Sequence, residues 1–245
     1  MINTKFLFSF FLIWLNLSPL WAMTILIDPG HGGEEDGATR EFNGVLVKEK
    51  DLTLSISKLI YEKLQKKHRV FLTRSFDRTV TLQERAQIAE KIKADLFISV
   101  HINSSTDPRA KGIETFYLDN HDDIAVKKVE KTENVNPGTA DGIQQILIDL
   151  AVEQTVQTSK PLAFLVHAEA KKNLKGRYAM LNRGVKPALF YVLALSKRPG
   201  VLLEAGFMTN DDDLKKIQQD KFQQLYADAV VRGIDQYIKS KKRAK

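Results

Sequence analysis

The sequence predicts a three-layer α/β domain with a central, mostly parallel mixed sheet and helices on both faces. Short runs rich in β-branched and other apolar residues alternate with longer segments of helical periodicity. The run at residues 96–100 is almost continuously apolar, as expected of a strand in a sheet that is covered on both faces. Alternation of strands with helices favours one largely parallel sheet.

The predicted elements begin with a strand over residues 24–27, which ends at the turn Asp28-Pro29-Gly30. The next elements are a helix over 50–67, a strand over 69–73, a helix over 81–94, and strands over 96–100 and 113–118. Thr81 and Glu84 form a capping box at the start of the second helix. Helices over 142–153 and 159–173, a strand over 201–203 and a helix over 214–238 complete the prediction. We expect a break in the last helix near Asp220.

The first 22 residues are typical of a secretory signal peptide. Lys5 precedes an apolar run over 6–15 and a polar stretch, and we expect cleavage after Ala22. The run is shorter than the roughly 20 apolar residues of a membrane span, and an uncleaved anchor is the alternative. No later segment approaches that length. We therefore expect no stable membrane span after signal removal, and a location in the periplasm or cell envelope.

Composition narrows the possible chemistry. The chain has no cysteine, so disulfides and a lipid-modified cysteine are excluded, and any metal site must use His, Asp or Glu. The net charge is +7, which for an exported protein predicts contact with anionic envelope polymers; a solvated basic surface is the alternative. Nucleic-acid binding is not expected, because the basic residues lack interleaved aromatic side chains. These basic residues are Lys171, Lys172, Lys175, Arg177, Lys239, Lys241, Lys242, Arg243 and Lys245.

Three polar residues lie at the ends of predicted strands. His31 follows the first strand, and His101 and Glu204 end two others. In a parallel sheet the carboxyl ends of the strands line one crevice. Glu49 begins the helix at 50–67 on its buried stripe, where a carboxylate is costly unless it is paired or metal-bound. That helix precedes a strand, so its first turn opens at the same edge.

Two histidines and one glutamate with an open position form a catalytic zinc set. His31, Glu49 and His101 would hold the metal, and Glu204 would take a proton from the attacking water and pass it to the leaving amine. Alternatives remain open at this point. A single histidine is more often structural, and Glu49 is also explained as a first-turn acid favoured by the helix dipole. Three other histidines are expected to be structural or surface residues: His68, His121 and His167.

At these residues the chain resembles the zinc-dependent N-acetylmuramoyl-L-alanine amidases, the Amidase_3 family. The matching stretches occur in family order and cover nearly all of residues 23–240, which we expect to form the catalytic domain ahead of a basic tail at 241–245. The stretches are ILIDPGHGG (25–33), EKDLTLSISKLIYEKL (49–64), VFLTRSFDRTVTLQERAQIAE (70–90), ADLFISVHINSS (94–105), NRGVKPALFYVL (182–193) and VLLEAGFMTN (201–210).

The resemblance implies one zinc ion held by His31, Glu49 and His101, with Glu204 as the catalytic carboxylate. It implies hydrolysis of the amide between N-acetylmuramic acid and L-alanine of peptidoglycan, in wall remodelling or daughter-cell separation. Arg183 matches a family position near the cleft. We expect it to serve the substrate or the oxyanion, with a structural ion pair as the alternative.

Residues 119–157 look like an insertion, because residues 119–141 are polar and interrupt the strand–helix rhythm. The stretches AVKKVEKTEN (125–134) and GIQQILIDL (142–150) are similar to the inserted helix of the family's cell-division branch. That resemblance implies a helix that blocks the zinc until a partner with a LytM-type domain displaces it. Glu133, or else Glu130, would cap the metal at rest; an ordinary charged surface loop is the alternative.

Two other functions compete with this interpretation. One is a different zinc hydrolase of the cell wall, such as a peptidase or a sugar deacetylase. The other is a non-catalytic envelope-binding protein on the same fold, which is disfavoured because all four site residues are present.

Overall fold

A computed structural model of the chain describes residues 23–120, 123, 127, 130, 131, 133 and 141–243, with the backbone alone for residues 141–148. The predicted signal peptide at residues 1–22 lies outside the described residues, as do His121 and part of the predicted insertion. A six-stranded sheet in the order β4-β1-β5-β8-β6-β7 is the centre of the fold. All neighbouring strands are parallel except β6 and β8, which are antiparallel.

The strands of this sheet are β1 (Thr24–Pro29), β4 (Arg69–Leu72), β5 (Leu96–Asn103), β6 (Ile113–Leu118), β7 (Asn182–Ala188) and β8 (Gly200–Phe207). Strands β2 (Thr39–Phe42) and β3 (Val45–Lys48) form a separate hairpin. The helices with fully described bounds are α1 (Glu49–Leu64), α2 (Leu82–Lys91), α3 (Asp141–Leu174), α4 (Tyr191–Ser196), α5 (Asp211–Ile217) and α6 (Asp220–Arg243).

The helices cover both faces of the sheet. On one face, side chains of α1, α3, α5 and α6 pack against alternate residues of the strands, such as Ile98 and Leu203. On the other face, α2 and α4 pack against the residues between them, such as Phe97 and Leu202. Strands β1, β5, β6 and β8 are buried along their whole length. The three-layer α/β fold with a mostly parallel mixed sheet is thus confirmed.

The capping box predicted at Thr81 and Glu84 is present. The hydroxyl of Thr81 accepts from the backbone N–H of Glu84, and the Glu84 carboxylate accepts from the backbone N–H of Thr81. The predicted break near Asp220 is also correct, because α5 ends at Ile217 and α6 begins at Asp220.

The prediction of two helices over 142–153 and 159–173 is wrong, since α3 is one continuous helix. The hydroxyls of the intervening residues turn back onto the helix: Thr155 donates to the carbonyl of Ala151 at 2.7 Å and Thr158 to that of Thr155 at 2.8 Å. Bonded in this way, polar residues do not interrupt a helix. Residue 157, where the predicted insertion ends, lies within α3.

Three elements were not predicted: the β2–β3 hairpin, β7 and α4. The hairpin turns at Asn43 and Gly44, which have φ angles of 53° and 76°. An Asn-Gly pair is favoured where both central residues of a turn need positive φ. The hairpin positions the site, because β3 leads directly into Glu49. Within the described residues, no helix has the length and apolarity needed to cross a membrane.

Candidate active site

His31 lies in a turn directly after β1, at the carboxyl edge of the sheet. Its backbone has a φ of 57°, in the left-handed region that residues other than glycine rarely adopt. Gly32 and Gly33 continue the turn with φ angles of 129° and 62°. The Nε2 atom of the His31 imidazole is buried.

Glu49 is the first residue of α1 and is almost completely buried. Its carboxylate is held by two backbone N–H groups, with Oε2 accepting from Ala38 and Oε1 from Ile102, both at 2.9 Å. A β-carbon on Gly37 would lie 2.7 Å from Glu49 Oε2 and 2.5 Å from His31 Cδ2, so only glycine fits there. The carboxylate is therefore fixed beside His31.

His101 on β5 completes the cluster of the three residues predicted as ligands. Its Nδ1 lies 3.2 Å from Glu49 Oε1, while His31 Nε2 lies 3.3 Å from Glu49 Oε2. Gly30 makes room for the ring, because a β-carbon there would lie 2.4 Å from His101 Cε1.

Glu133 supplies a fourth donor atom. Its Oε2 lies 2.9 Å from His101 Nδ1 and 3.4 Å from His31 Nε2. Ligand atoms of His31, Glu49, His101 and Glu133 all lie within 4.8 Å of one another. The structure thus brings together the three residues predicted as ligands and the first of the two acids predicted to cap them.

The cluster fits a small divalent cation. His31 Nε2, His101 Nδ1 and Glu133 Oε2 are buried, yet none has a hydrogen-bond partner among the described residues. Nitrogen and oxygen ligands about 2.0–2.2 Å from a tetrahedral zinc lie roughly 3.3–3.6 Å apart. The four contacts of 2.9–3.4 Å are close to that spacing. Buried lone pairs that converge without bonding one another are what a metal site requires.

Charges within the cluster are strongly coupled. Burial lowers the pKa of His31, but the adjacent Glu49 and Glu133 carboxylates outweigh it and raise the pKa to about 11. Burial also lowers the pKa of His101, but Glu133 and Glu49 outweigh that effect and raise the pKa to about 9. Burial raises the pKa of Glu49, but the two imidazoles pull it below its ordinary value. A cation in this cluster would be surrounded by carboxylates that stay ionised.

Glu204 on β8 lies beside the cluster and is completely buried. It is paired across the sheet with His101 on β5. Neither carboxylate oxygen has a hydrogen-bond partner among the described residues. Burial, with the negative charges of Glu133, Glu49 and Glu114, raises the pKa of Glu204 well above its ordinary value. Glu204 thus binds a proton more readily than Glu49 and Glu133, whose pKa values are lowered.

Arg183 on β7 forms an ion pair with Glu114 on β6, with Nε 2.8 Å from Oε1. Lys186 lies 2.6 Å from the same oxygen, and Asn103 donates to Glu114 Oε2 at 2.9 Å. The Arg183 guanidinium also lies over the ring of Phe207, 5.1 Å from its centre. Arg183 is partly exposed while Glu114 is buried.

A cavity of about 470 Å³ adjoins this cluster of His31, Glu49, His101 and Glu133. It is lined by His31, His101 and Glu133, together with Asp28 and Arg85. The rest of its wall is largely apolar, from Val80, Leu82, Phe190, Val192 and Leu202. An apolar cavity with a few convergent polar groups is the usual form of a small-molecule or substrate site.

Comparison with known proteins identifies the family. A family model described as N-acetylmuramoyl-L-alanine amidase, Amidase_3, matches residues 25–236. The chain belongs to this family. The N-acetylmuramoyl-L-alanine amidase AmiA of Escherichia coli K12 is 31% identical over 233 residues, which cover 87% of this chain and 75% of AmiA.

Solved structures agree with that assignment for this amidase. An N-acetylmuramoyl-L-alanine amidase from Clostridium difficile 630 matches with a TM-score of 0.68 and 29% identity, over 90% of this chain and 99% of that one. The CwlD amidase of Clostridioides difficile, solved in complex with the GerS lipoprotein, matches with a TM-score of 0.68 and 25% identity, over 89% and 99% of the two chains. The expected family, fold and enzyme class are confirmed.

The other histidines of the amidase lie away from the cluster where they are described. His167 on α3 is buried and lies 3.1 Å from Thr115 Oγ1 and 2.6 Å from Asn182 Oδ1, a structural role. His68 follows α1 and lies 3.5 Å from Asp235 Oδ1.

Glu114 is not among the residues predicted for the site, although the sequence contains a signal for it. Glu114 is the one charged residue of the otherwise apolar predicted strand 113–118. A carboxylate on such a strand needs a buried partner, and the structure supplies Arg183, Lys186 and Asn103.

Proposed function

We propose that this amidase hydrolyses the bond between N-acetylmuramic acid and L-alanine of peptidoglycan with one zinc ion held by His31, Glu49 and His101. The observation that carries the proposal is the convergence of their buried ligand atoms beside Glu204. Neutral imidazoles and an ionised carboxylate are the donors that zinc accepts in hydrolases. Family membership supplies the substrate class.

Zinc, when bound, acts as a Lewis acid that polarises the substrate carbonyl and makes water a nucleophile near neutral pH. Glu204 is the proton carrier in this proposal. Its carboxylate accepts a proton from the attacking water and delivers it to the nitrogen of L-alanine as the C–N bond breaks. Its raised pKa, caused by burial and neighbouring acids, favours holding that proton between the two transfers.

Arg183 is proposed to bind the substrate or the developing oxyanion. Its Nε is bonded to Glu114, which leaves the outer nitrogens of a partly exposed guanidinium for a ligand. A guanidinium held by one edge presents a planar fork suited to a carboxylate or carbonyl oxygen.

Glu133 is proposed to occupy the open position of the zinc at rest. Its Oε2 lies among the three ligand residues, and Glu130 on the same segment accepts a hydrogen bond from the backbone N–H of Leu189. This arrangement supports assignment to the cell-division branch, with residues 119–157 as a regulatory insertion. The opener would be a LytM-type activator; the solved complex of CwlD with GerS is an example of a relative with a protein partner.

Residues 1–22 are proposed to be a signal peptide, residues 23–240 the catalytic domain and residues 241–245 a basic tail. Export would take the protein to the periplasm or cell envelope, where its substrate is found.

Mass spectrometry of muropeptides digested by the mature protein tests the function. We expect free muramic lactyl groups together with intact peptides that begin with L-alanine, and no products when a chelator is present. Cut peptides would indicate a peptidase, and deacetylated sugars would indicate a deacetylase. Muropeptides that stay unchanged with both the wild type and a Glu133→Gln variant would indicate a non-catalytic protein.

A further inference from the structure

Two buried arginines surround the turn that carries His31. Arg74 follows β4 and is 1% exposed, while Arg85 lies on α2 and is 3% exposed. Arg85 is ion-paired with the carboxylate of Asp28. Arg74 instead bonds four uncharged oxygens: the carbonyls of Pro29, Gly30 and Lys50 and the hydroxyl of Thr53.

The two guanidinium groups bind the carbonyls of three successive residues. Arg74 donates to Pro29 at 3.1 Å and to Gly30 at 2.8 Å. Arg85 donates to Pro29 and to His31, both at 2.9 Å. Every carbonyl of the turn from residue 29 to residue 31 is therefore held by a side chain from another element.

Arg74 also connects this turn to the start of α1. The same Nη2 atom that donates to Gly30 donates to the carbonyl of Lys50 at 2.7 Å, and Lys50 directly follows Glu49. The hydroxyl of Thr53, one turn along α1, donates to the Gly30 carbonyl at 2.9 Å. One side chain thus bonds the backbone next to His31 and the backbone next to Glu49.

Fold stability does not explain the burial of Arg74 or the conformation of His31. A buried cation without a carboxylate partner is destabilising compared with an apolar residue, and Nη1 of Arg74 has no hydrogen-bond partner among the described residues. His31 is in the left-handed region, which costs free energy for a residue other than glycine. Such a conformation persists only where the surroundings determine it strongly, and it is characteristic of functional sites.

We propose that Arg74 and Arg85 are positioning residues of the metal site. They fix the backbone of residues 29–31 and the first turn of α1, so that His31 and Glu49 present their ligand atoms at the spacing a metal needs. The inference rests on the proposed function, because it takes zinc to be the ion that these residues hold.

The test measures zinc binding rather than turnover. Arg74→Lys and Arg85→Lys keep the charge but lack the planar fork that reaches several carbonyls at once. Thr53→Val removes one hydrogen-bond donor to the Gly30 carbonyl with little change of shape. This variant tests the inference if the arginine variants do not fold. Arg232→Lys is the matched control, because Arg232 pairs with Glu169 on the α3–α6 side of the fold, at 2.8 Å.

Two quantities are compared for each purified protein: the zinc dissociation constant from chelator competition, and the rise in melting temperature that zinc produces. We expect Arg74→Lys and Arg85→Lys to bind zinc about 10- to 100-fold more weakly, with a smaller zinc-induced rise. Thr53→Val should change both quantities in the same direction by less, and Arg232→Lys should match the wild type.

A folded Arg74→Lys or Arg85→Lys protein with a lower melting temperature and unchanged zinc affinity would overturn the inference, since the arginines would then be structural. If Thr53→Val is the only variant that folds, an unchanged zinc affinity of that variant would also overturn the inference. Failure of the wild type to bind zinc would instead overturn the proposed function. The two failures are therefore distinguishable.

Discussion

Glu204 and Glu114 are directly opposed residues of the antiparallel β8–β6 pair, and among the described residues only Glu114 has hydrogen-bond partners. Glu114 accepts hydrogen bonds from Arg183, Lys186 and Asn103, whereas neither oxygen of Glu204 is bonded among the described residues. Opposed residues project from the same face of a sheet. One of two neighbouring buried acids thus has cationic and amide partners, while the other is left able to exchange a proton.

Glu204→Gln removes the proposed proton carrier without changing the shape of the site. We expect kcat to fall by roughly 10²- to 10⁴-fold, the usual contribution of general acid–base catalysis, with zinc binding retained. Muropeptide hydrolysis and bound zinc are measured on the same preparation. Glu90→Gln, an exposed acid on α2, is the control. Near-normal turnover of Glu204→Gln would assign the proton transfers to another group.

The proposed role of Arg183 in substrate binding is tested by measuring kcat/KM and the melting temperature of the same variant. If its free nitrogens contact the substrate, Arg183→Lys, which loses the planar fork, should lower kcat/KM by about tenfold or more, as loss of a charge-assisted hydrogen bond implies. The melting temperature should change little, because the ion pair with Glu114 is partly exposed. Lower stability with unchanged kcat/KM would leave Arg183 as a structural ion pair.

Glu133→Gln tests the proposed lock. Loss of the carboxylate charge weakens the contact with the ligand residues, so basal hydrolysis of purified peptidoglycan should rise several-fold without an activator. Glu130→Gln, which weakens the bond to the N–H of Leu189, should have a smaller effect in the same direction. Lys131→Ala, an exposed position on the same segment, is the control. Equal basal rates in all four proteins would argue that the segment is an ordinary surface loop.

The Asp28 carboxylate should make the stability of the folded protein depend on pH. Burial raises its pKa, but the Arg85 cation and the hydroxyls of Thr73 and Ser99 outweigh that effect and hold the pKa below its ordinary value. Stabilisation by a lowered folded-state pKa is complete above the unfolded pKa, about 3.9, and is lost as the pH falls through the folded value. Stability of the metal-free protein should therefore decrease below about pH 4.

Asp28→Asn should cost about 3–5 kcal/mol at pH 7, because it leaves Arg85 buried without its partner. The difference from the wild type should shrink as the pH falls below 4. Denaturant unfolding in the presence of a chelator measures both proteins, and the exposed Asp212→Asn variant is the control. A difference that stays constant down to pH 2 would contradict the assignment of Asp28 as the titrating group.

Five strands of the central sheet and the proposed ligand residues were predictable because each leaves a local pattern. The buried strands are apolar runs. His31 follows β1, and His101 and Glu204 lie in the carboxyl-terminal halves of β5 and β8. The Asn43-Gly44 turn is an equally local signal, but the strands beside it carry charged residues, which weakens their strand pattern. These features depend on short-range geometry that the sequence displays directly.

The remainder depends on contacts between distant parts of the chain. Arg74 is 44 residues from Gly30 and 24 from Lys50, and nothing around it in the sequence indicates that it is buried. The continuity of α3 through Thr155 and Thr158 depends on hydroxyl bonds that propensity alone does not supply. Tertiary contacts override such local preferences.

Metal analysis of the purified protein by inductively coupled plasma mass spectrometry tests the central claim most directly, with the wild type beside His31→Ala, Glu49→Ala and His101→Ala. We expect about one zinc per wild-type chain, and little or none in any of the three folded variants, because each ligand deleted from a three-residue site opens it to water. An active wild type without zinc, or a Glu49→Ala variant with full zinc content, would contradict the claim that these three side chains hold the catalytic ion.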